Sequence, residues 1–414
     1  MFFRERVSNW LGKISEFLGI DLAYVLKGGS FLTLGNFAAV FSNFILAFFF
    51  AQLLPKEVYG TYSYILAWIS VFGIFALPGM DRAIIQSVSN GFESSLILGL
   101  KKKIQYGSLG TLAALILGAY YFYNGNQILA WAFFVGAVFI PFINSFQIYN
   151  AFLLGKKEFK TQTLYLIIGQ LFIALTLITA IFLTQNIVYL VGIYLLANLI
   201  PSLVFFFRTR LIAKLTGPED PGITSFAKHL SLINVVSTIS GYLDQFLAWH
   251  FLGPANLATY TFAIAPPEQI KGLFQSIPDL ALPKFSERSE EELKKTIKRK
   301  SIILFVFAGL TVGVYILLAP WFYKIFFPRY LDSVFLSQIF ALSMLNTPTT
   351  FIIPALTAHK KIKKLYWFNI VSPVFQISLM TIMTPLYGLI GLILARIISR
   401  TFTTAVSLVI YYRT

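Results

Sequence analysis

AQLLPKEVYGTYSYI, residues 51–65, and AWHFLGPANLATYTFAI, residues 248–264, follow one pattern. Each reads as the end of an apolar helix, a tight turn containing proline, and a new helix opening on a T-Y-S or T-Y-T step. A second pair follows in the same order: FLLGKKEFKTQTLY at 152–165 and ALTAHKKIKKLYWF at 355–368. Both place a basic turn between two apolar segments. The halves are offset by roughly 200 residues, which identifies an internal repeat.

Composition sets the environment of that repeat. The chain has 414 residues, 57% of them hydrophobic and 12% charged, with a mean hydropathy of +0.74. A soluble domain carries about twice that charge fraction. Apolar stretches of about 20 residues recur along the whole length, each able to cross a bilayer as a helix. Spans are expected near 31–54, 61–80, 104–124, 128–152, 163–184, 187–207, 228–252, 257–281, 301–320, 333–358, 364–385 and 388–412. The fold class is therefore an all-α polytopic membrane protein of about twelve transmembrane helices in two six-helix bundles. Six spans per repeat is an even number, so the halves enter the membrane in the same sense. They should be related by a pseudo-two-fold axis along the membrane normal, flanking a central cavity. The corresponding division is an N-terminal segment 1–30, bundles at 31–207 and 228–414, and a linker at 208–227.

The connections alternate in charge. PKEVYG, YNGNQ, TQNIV, GPANL and PLYG are short and nearly neutral, whereas GLKKK, GKKEFK, RTRLIAK, ELKKTIKRK and HKKIKK are basic. Of the 33 Lys and Arg residues, three lie inside spans and three on the neutral side, Lys56, Lys324 and Arg329. The rest gather on the other face, which the positive-inside rule assigns to the cytoplasm together with both termini. A multi-pass protein of the cell membrane is the expectation. The net charge of +16 then reads as anchoring against anionic lipid rather than nucleic-acid binding. MFFRERVSNWLGKISEFLGI carries charges throughout and is not a cleavable signal. Trp10, Leu11, Ile14, Phe17 and Leu18 fall at helical spacing opposite Lys13 and Glu16, as in a helix lying on the membrane surface; a frayed tail is the alternative. There are no cysteines, and His229, His250 and His359 form no metal-ligand motif.

LLPKEVYGTYSYI at 53–65, ALPGMDRAII at 76–85, FLGPANLATYTFAI at 251–264 and LALPKFSERSEEELKK at 280–295 resemble the polysaccharide, or O-antigen, flippases. That family belongs to the multidrug/oligosaccharidyl-lipid/polysaccharide exporter superfamily, and the resemblance covers essentially the whole chain. It implies a V-shaped pair of bundles working by alternating access. It also implies a cargo of undecaprenyl-diphosphate-linked oligosaccharide, moved from the inner to the outer leaflet. A polysaccharide polymerase or glycosyltransferase would be a natural partner.

Independently of that resemblance, charges inside the spans mark a site. An ionisable group at mid-membrane costs about 3 kcal/mol or more, so it faces a cavity or a partner. At about 1.5 Å per residue, Glu268 and Lys271 lie roughly 16 and 21 Å below the outer end of their span. Arg396 and Arg400 lie about 12 and 18 Å down, and Asp244 about 12 Å. Arg396 and Arg400 are four residues apart and share a helix face. At the aligned positions the first half has Asn198 and Ser202. Lys271, Arg396 and Arg400 are candidate diphosphate ligands, because ammonium and guanidinium groups supply several charged donors. The alternatives are an internal pair of Glu268 with Lys271, or a bridge from the arginines to Asp244 or Glu268; the spacing admits each. Arg82 is either a first receiver of the headgroup or a positive-inside anchor beside Asp81. Pro266 and Pro267 remove backbone hydrogen bonds from their span and make it a candidate hinge, or simply a fixed bend. Asn36 and Asn43, with Thr33 nearby, and Asn234, Ser237, Gly241 and Asp244 form polar stripes for sugar hydroxyls, or for helix packing. Asp244 and Glu268 are candidate sites for a coupling proton or sodium ion.

No Walker A sequence is present, so ATP is not the direct fuel. The non-cytoplasmic connections are short, with Lys56, Glu57, Lys324, Arg329 and Asp332 as their only charges, so a catalytic role is not expected and no cofactor is implied. A multidrug or cation antiporter of the same superfamily is the alternative function. It would favour acidic over basic groups in the cavity.

Overall fold

The computed structural model describes residues 30–213, 215, 217–286, 290–352 and 362–412. The N-terminal segment read as a surface helix and the basic turn containing His359 lie outside the described residues. The regular structure is helical. The helices are α1 (Ser30–Leu53), α2 (Lys56–Phe72), α3 (Gly79–Ser89), α4 (Ser95–Tyr123), α5 (Gln127–Ile143), α6 (Ile148–Gly155) and α7 (Phe159–Leu183). They continue with α8 (Ile187–Ile212), α9 (Ile223–Leu247), α10 (Pro254–Ser286), α11 (Glu290–Phe326), α12 (Ser333–Ala341) and α13 (Ile362–Tyr412). Long α13 is two helices meeting at Gly388, whose φ of 60° and ψ of −141° only glycine adopts readily. The expected spans fall on these helices, on a successive pair or on one half of α13; the one expected at 333–358 begins with α12 and a 3-10 stretch, and its residues 353–358 lie outside the described residues.

Seven helical stretches among the described residues are long and apolar enough to cross a membrane, one of them α5 and α6 taken together. The protein is a multi-pass, all-α membrane protein. Its exposed side chains agree: on α7, Leu164, Ile168, Leu171 and Leu175 are all exposed, as lipid contact requires.

Two compact units are present, Leu32–Ala258 and the chain from Thr259 onward. The boundary lies later than the linker read at 208–227, because α9 packs into the first unit along its length. At one end a Cβ on Gly79 would sit 2.5 Å from the Ala227 carbonyl oxygen, so the start of α3 and α9 touch backbone to backbone. The Gly79 N–H donates to Ser231 Oγ at 3.0 Å. At the other end Tyr64 stacks on Trp249 at 4.3 Å and Trp68 on Phe246 at 4.4 Å. Such pairs add about 0.5–1.5 kcal/mol each beyond the area they bury. Here the two repeated turns also meet, since a Cβ on Gly60 would fall 1.8 Å from the Pro254 carbonyl oxygen.

The GLKKK motif is not a loop. Lys101, Lys102 and Lys103 lie inside α4, and Lys103 is only 2% exposed, its Nζ 2.6 Å from Asp81 Oδ1. An unpaired buried ammonium is costly, and Asp81 removes that cost. Because Asp81 is half exposed, Asp81→Asn is expected to lower stability by about 2 kcal/mol, less than for a fully buried pair. Thermal melting in detergent would measure this, and Lys103→Met should recover part of the loss.

The fourth span of each half abandons the α-helix midway. α5 ends just after Pro141 and the chain turns before α6 begins, while α12 passes into a 3-10 helix over Leu342–Phe351. Such interruptions in a span occur where the backbone lines a site rather than lipid.

Candidate functional site

The intramembrane charges of the second unit form one cluster built on α10, the α12 segment and the second helix of α13. Arg396 and Arg400 converge on a single carboxylate oxygen, Glu268 Oε1. Arg396 Nη2 donates to it at 3.2 Å, and Arg400 Nη2 makes a close ion pair with it. Each guanidinium is held at a second point: Arg396 Nη1 donates to the Tyr260 hydroxyl and Arg400 Nη1 to Ser343 Oγ, both at 2.9 Å. The buried Phe340 ring is close to both, 5.4 Å from Arg396 and 5.0 Å from Arg400, so two cations share one aromatic ring. One turn away, the first 3-10 residues stay tied to α13 through Asn346 Nδ2, which donates to Thr401 Oγ1 at 3.3 Å.

Of the pairings the spacing admits, the structure shows the bridge from the arginines to Glu268. A guanidinium fork can hold Glu268 and a second oxygen at once, which a point-like ammonium does less well. Lys271, one turn beyond Glu268 on α10, is half-buried and makes no ion pair among the described residues, though it interacts electrostatically with Glu268, Arg396 and Arg400. Among the described residues of this unit, two guanidiniums share one carboxylate, with the Lys271 amine one turn away.

Asp244 lies in the first unit, buried near the end of α9, where its Oδ1 accepts from the Gln245 N–H at 2.9 Å. Asn234 is also on α9 and ties its Nδ2 to the Leu230 carbonyl of its own helix at 2.9 Å. Asn36 and Asn43 stand on the exposed side of α1 with Leu34, Phe37 and Phe41. Arg82 is exposed on α3, while its neighbour Asp81 pairs with Lys103. Pro266 and Pro267 lie within α10, which is helical on both sides of them.

Tyr260, Phe340 and Ser343 hold the arginines in place but carry no charge to mark them in the sequence. The one available signal is the repeat. Tyr260 is the middle residue of the T-Y-T step, and its counterpart Tyr62 is also buried, packed on Phe50 at 5.3 Å and Tyr194 at 6.1 Å. The first half uses the tyrosine for packing; the second adds an arginine to its hydroxyl.

A family model described as polysaccharide biosynthesis protein matches residues 49–335. No curated protein matches the chain in sequence. Among solved structures, the lipid II flippase MurJ in an inward closed conformation is similar at a TM-score of 0.71 and 18% identity, over 94% of this chain and 88% of that one. An outward-facing multidrug resistance transporter of the MATE family, in the MOP superfamily, is similar at 0.63 and 16% identity, over 94% of each chain. A MOP superfamily transporter from Pyrococcus furiosus, described as having a binding pocket of reverse polarity, gives 0.57 and 16% over 94% of each chain. These likenesses establish a fold shared with that superfamily. With the family model matching most of its length, the chain belongs to the polysaccharide biosynthesis protein family.

Proposed function

We propose that the protein is a flippase that moves a lipid-linked oligosaccharide, of the undecaprenyl-diphosphate kind, from the cytoplasmic to the outer leaflet of the cell membrane by alternating access. The observation that carries this reading is the pair of guanidiniums that converge on a single carboxylate within the spans of the second unit, with Lys271 one turn away. A membrane protein of polysaccharide biosynthesis has a cargo whose polar end is a diphosphate. Guanidinium and ammonium groups are the side chains that bind phosphate oxygens through several charged donors. A carrier of cations would place the excess on the acidic side, so the cluster does not favour the antiporter reading. An inside-negative potential assists outward movement of an anion by about 2.3 kcal/mol per charge per 100 mV. Glu268, engaged by both arginines, acts in this reading as the resident counter-ion, which leaves Asp244 as the candidate for ion coupling.

Lys271 separates transport from architecture. Because it forms no ion pair, Lys271→Met should leave the melting temperature unchanged or raise it. It should slow translocation of a fluorescent undecaprenyl-diphosphate-linked glycan in proteoliposomes by at least about tenfold, the equivalent of about 1.4 kcal/mol. Vesicles containing the wild-type protein that flip this probe no faster than protein-free vesicles would overturn the reading.

A further inference from the structure

The first unit contains a cavity of about 140 Å³ between the α5–α6 break, α7 and α8. Its polar wall is Gln147, Asn150, Gln170, Asn198 and Ser202, with the Tyr165 ring beside them. These positions repeat the construction of the charged cluster. In both units an interrupted fourth span stands beside an i, i+4 pair on the sixth, Asn198 and Ser202 in the first, Arg396 and Arg400 in the second. The same frame thus holds a cationic set once and a neutral set once.

The cavity faces away from lipid. Its α7 residues Leu166, Gly169, Gln170 and Ile173 and its α8 residues Asn198, Pro201, Ser202 and Phe205 follow i, i+3, i+4, i+7 spacing. The exposed apolar residues of the same helices, such as Ile168 and Leu175 or Leu196, Ile200 and Val204, lie on the other side. Asn198 and Ser202 satisfy one group each on their own helix, through the Tyr194 carbonyl and the Asn198 carbonyl. The side chains of Gln147, Asn150 and Gln170 make no hydrogen bond among the described residues. For Asn150 and Gln170, which are partly buried, primary amides with donors and acceptors both open are costly within a membrane span unless something polar meets them.

Among the described residues the lining has no ionisable side chain other than tyrosine, and the guanidinium of Arg208, 5.9 Å from the Tyr165 ring centre, is not part of it. Amides offering both donors and acceptors suit a ring bearing hydroxyl or acetamido groups. The volume, below the roughly 300 Å³ of a pocket for a drug-sized molecule, fits one ring rather than a chain. We infer that this pocket is a binding site for a single uncharged sugar residue of the cargo. The inference rests on the flippase reading and adds a second, chemically distinct contact to it.

The test compares two lipids on the full-length protein in nanodiscs: undecaprenyl diphosphate, and undecaprenyl-diphosphate-N-acetylglucosamine. The wild type is expected to bind the sugar-bearing lipid about tenfold more tightly. The Asn150→Leu/Gln170→Leu variant should bind both lipids with the affinity the wild type shows for the sugar-free one, which also reports that it is folded. A variant that keeps the full preference, or one that loses both lipids equally, overturns the sugar site. Equal wild-type affinity for the two lipids removes the sugar site while leaving the flippase reading intact. If the wild type binds neither lipid, the flippase reading fails and the sugar site with it.

Discussion

Glu268→Ala is expected to destabilise the protein by about 3 kcal/mol, the scale for removing one partner from a buried ion pair. The loss is large because one oxygen serves two guanidiniums. Without it Arg396 and Arg400 face each other within the span, four residues apart on one helix. Phe340 and the second hydrogen bonds to Tyr260 and Ser343 keep part of the geometry, so the variant should fold but melt early. A double-mutant cycle between Glu268→Gln and Arg400→Gln should return a coupling energy of about 1–3 kcal/mol. Wild-type melting of Glu268→Ala would show that the carboxylate does not hold the arginines together.

The second large effect is steric. Gly60 lies where α2 meets the start of α10, and even a methyl group there would collide with a backbone carbonyl. Backbone cannot rotate aside as a side chain can, so Gly60→Val should push the two turns apart and disrupt the nearby Tyr64–Trp249 stack. The expected outcome is a poor yield of monodisperse protein in detergent, measured by size exclusion. Gly241→Ala provides the control. It is in the interior of α9 and a Cβ there meets nothing within 4 Å. This substitution should be neutral or stabilising by up to about 1 kcal/mol through helix propensity. If both variants behave alike, the close approach at Gly60 does not support the fold.

The helices were legible because hydropathy reports what a segment can do in lipid, and lipid leaves few alternatives. Their interruptions were not. The 3-10 stretch at Leu342–Phe351 and the turn between α5 and α6 have apolar residues like those around them, and hydropathy does not distinguish one helical hydrogen-bond pattern from another. Depth along a span was equally readable, since it needs only the rise per residue. Direction around the helix and choice of neighbour were not, because packing decides them. Depth alone could not show that α9, which carries Asp244, packs into the first unit through Gly79 and the aromatic stacks. The same limit applied to Glu268. Sequence distance favours Lys271, three residues away, yet the partners lie on α13. Tyr260, Phe340 and Ser343 stayed hidden for a related reason. Neutral residues that hold charged ones look like ordinary core until their contacts are seen.

The shared carboxylate has one further consequence, which concerns valence. The arginines are never bare, since Glu268 already sits between them as an internal anion. In the flippase reading, a singly charged anion reaches the guanidiniums in competition with Glu268. A diphosphate has oxygens enough to meet Lys271 as well as the arginines while Glu268 stays in place. Discrimination against small monovalent anions would then follow from the number of charges an anion carries rather than from a steric filter.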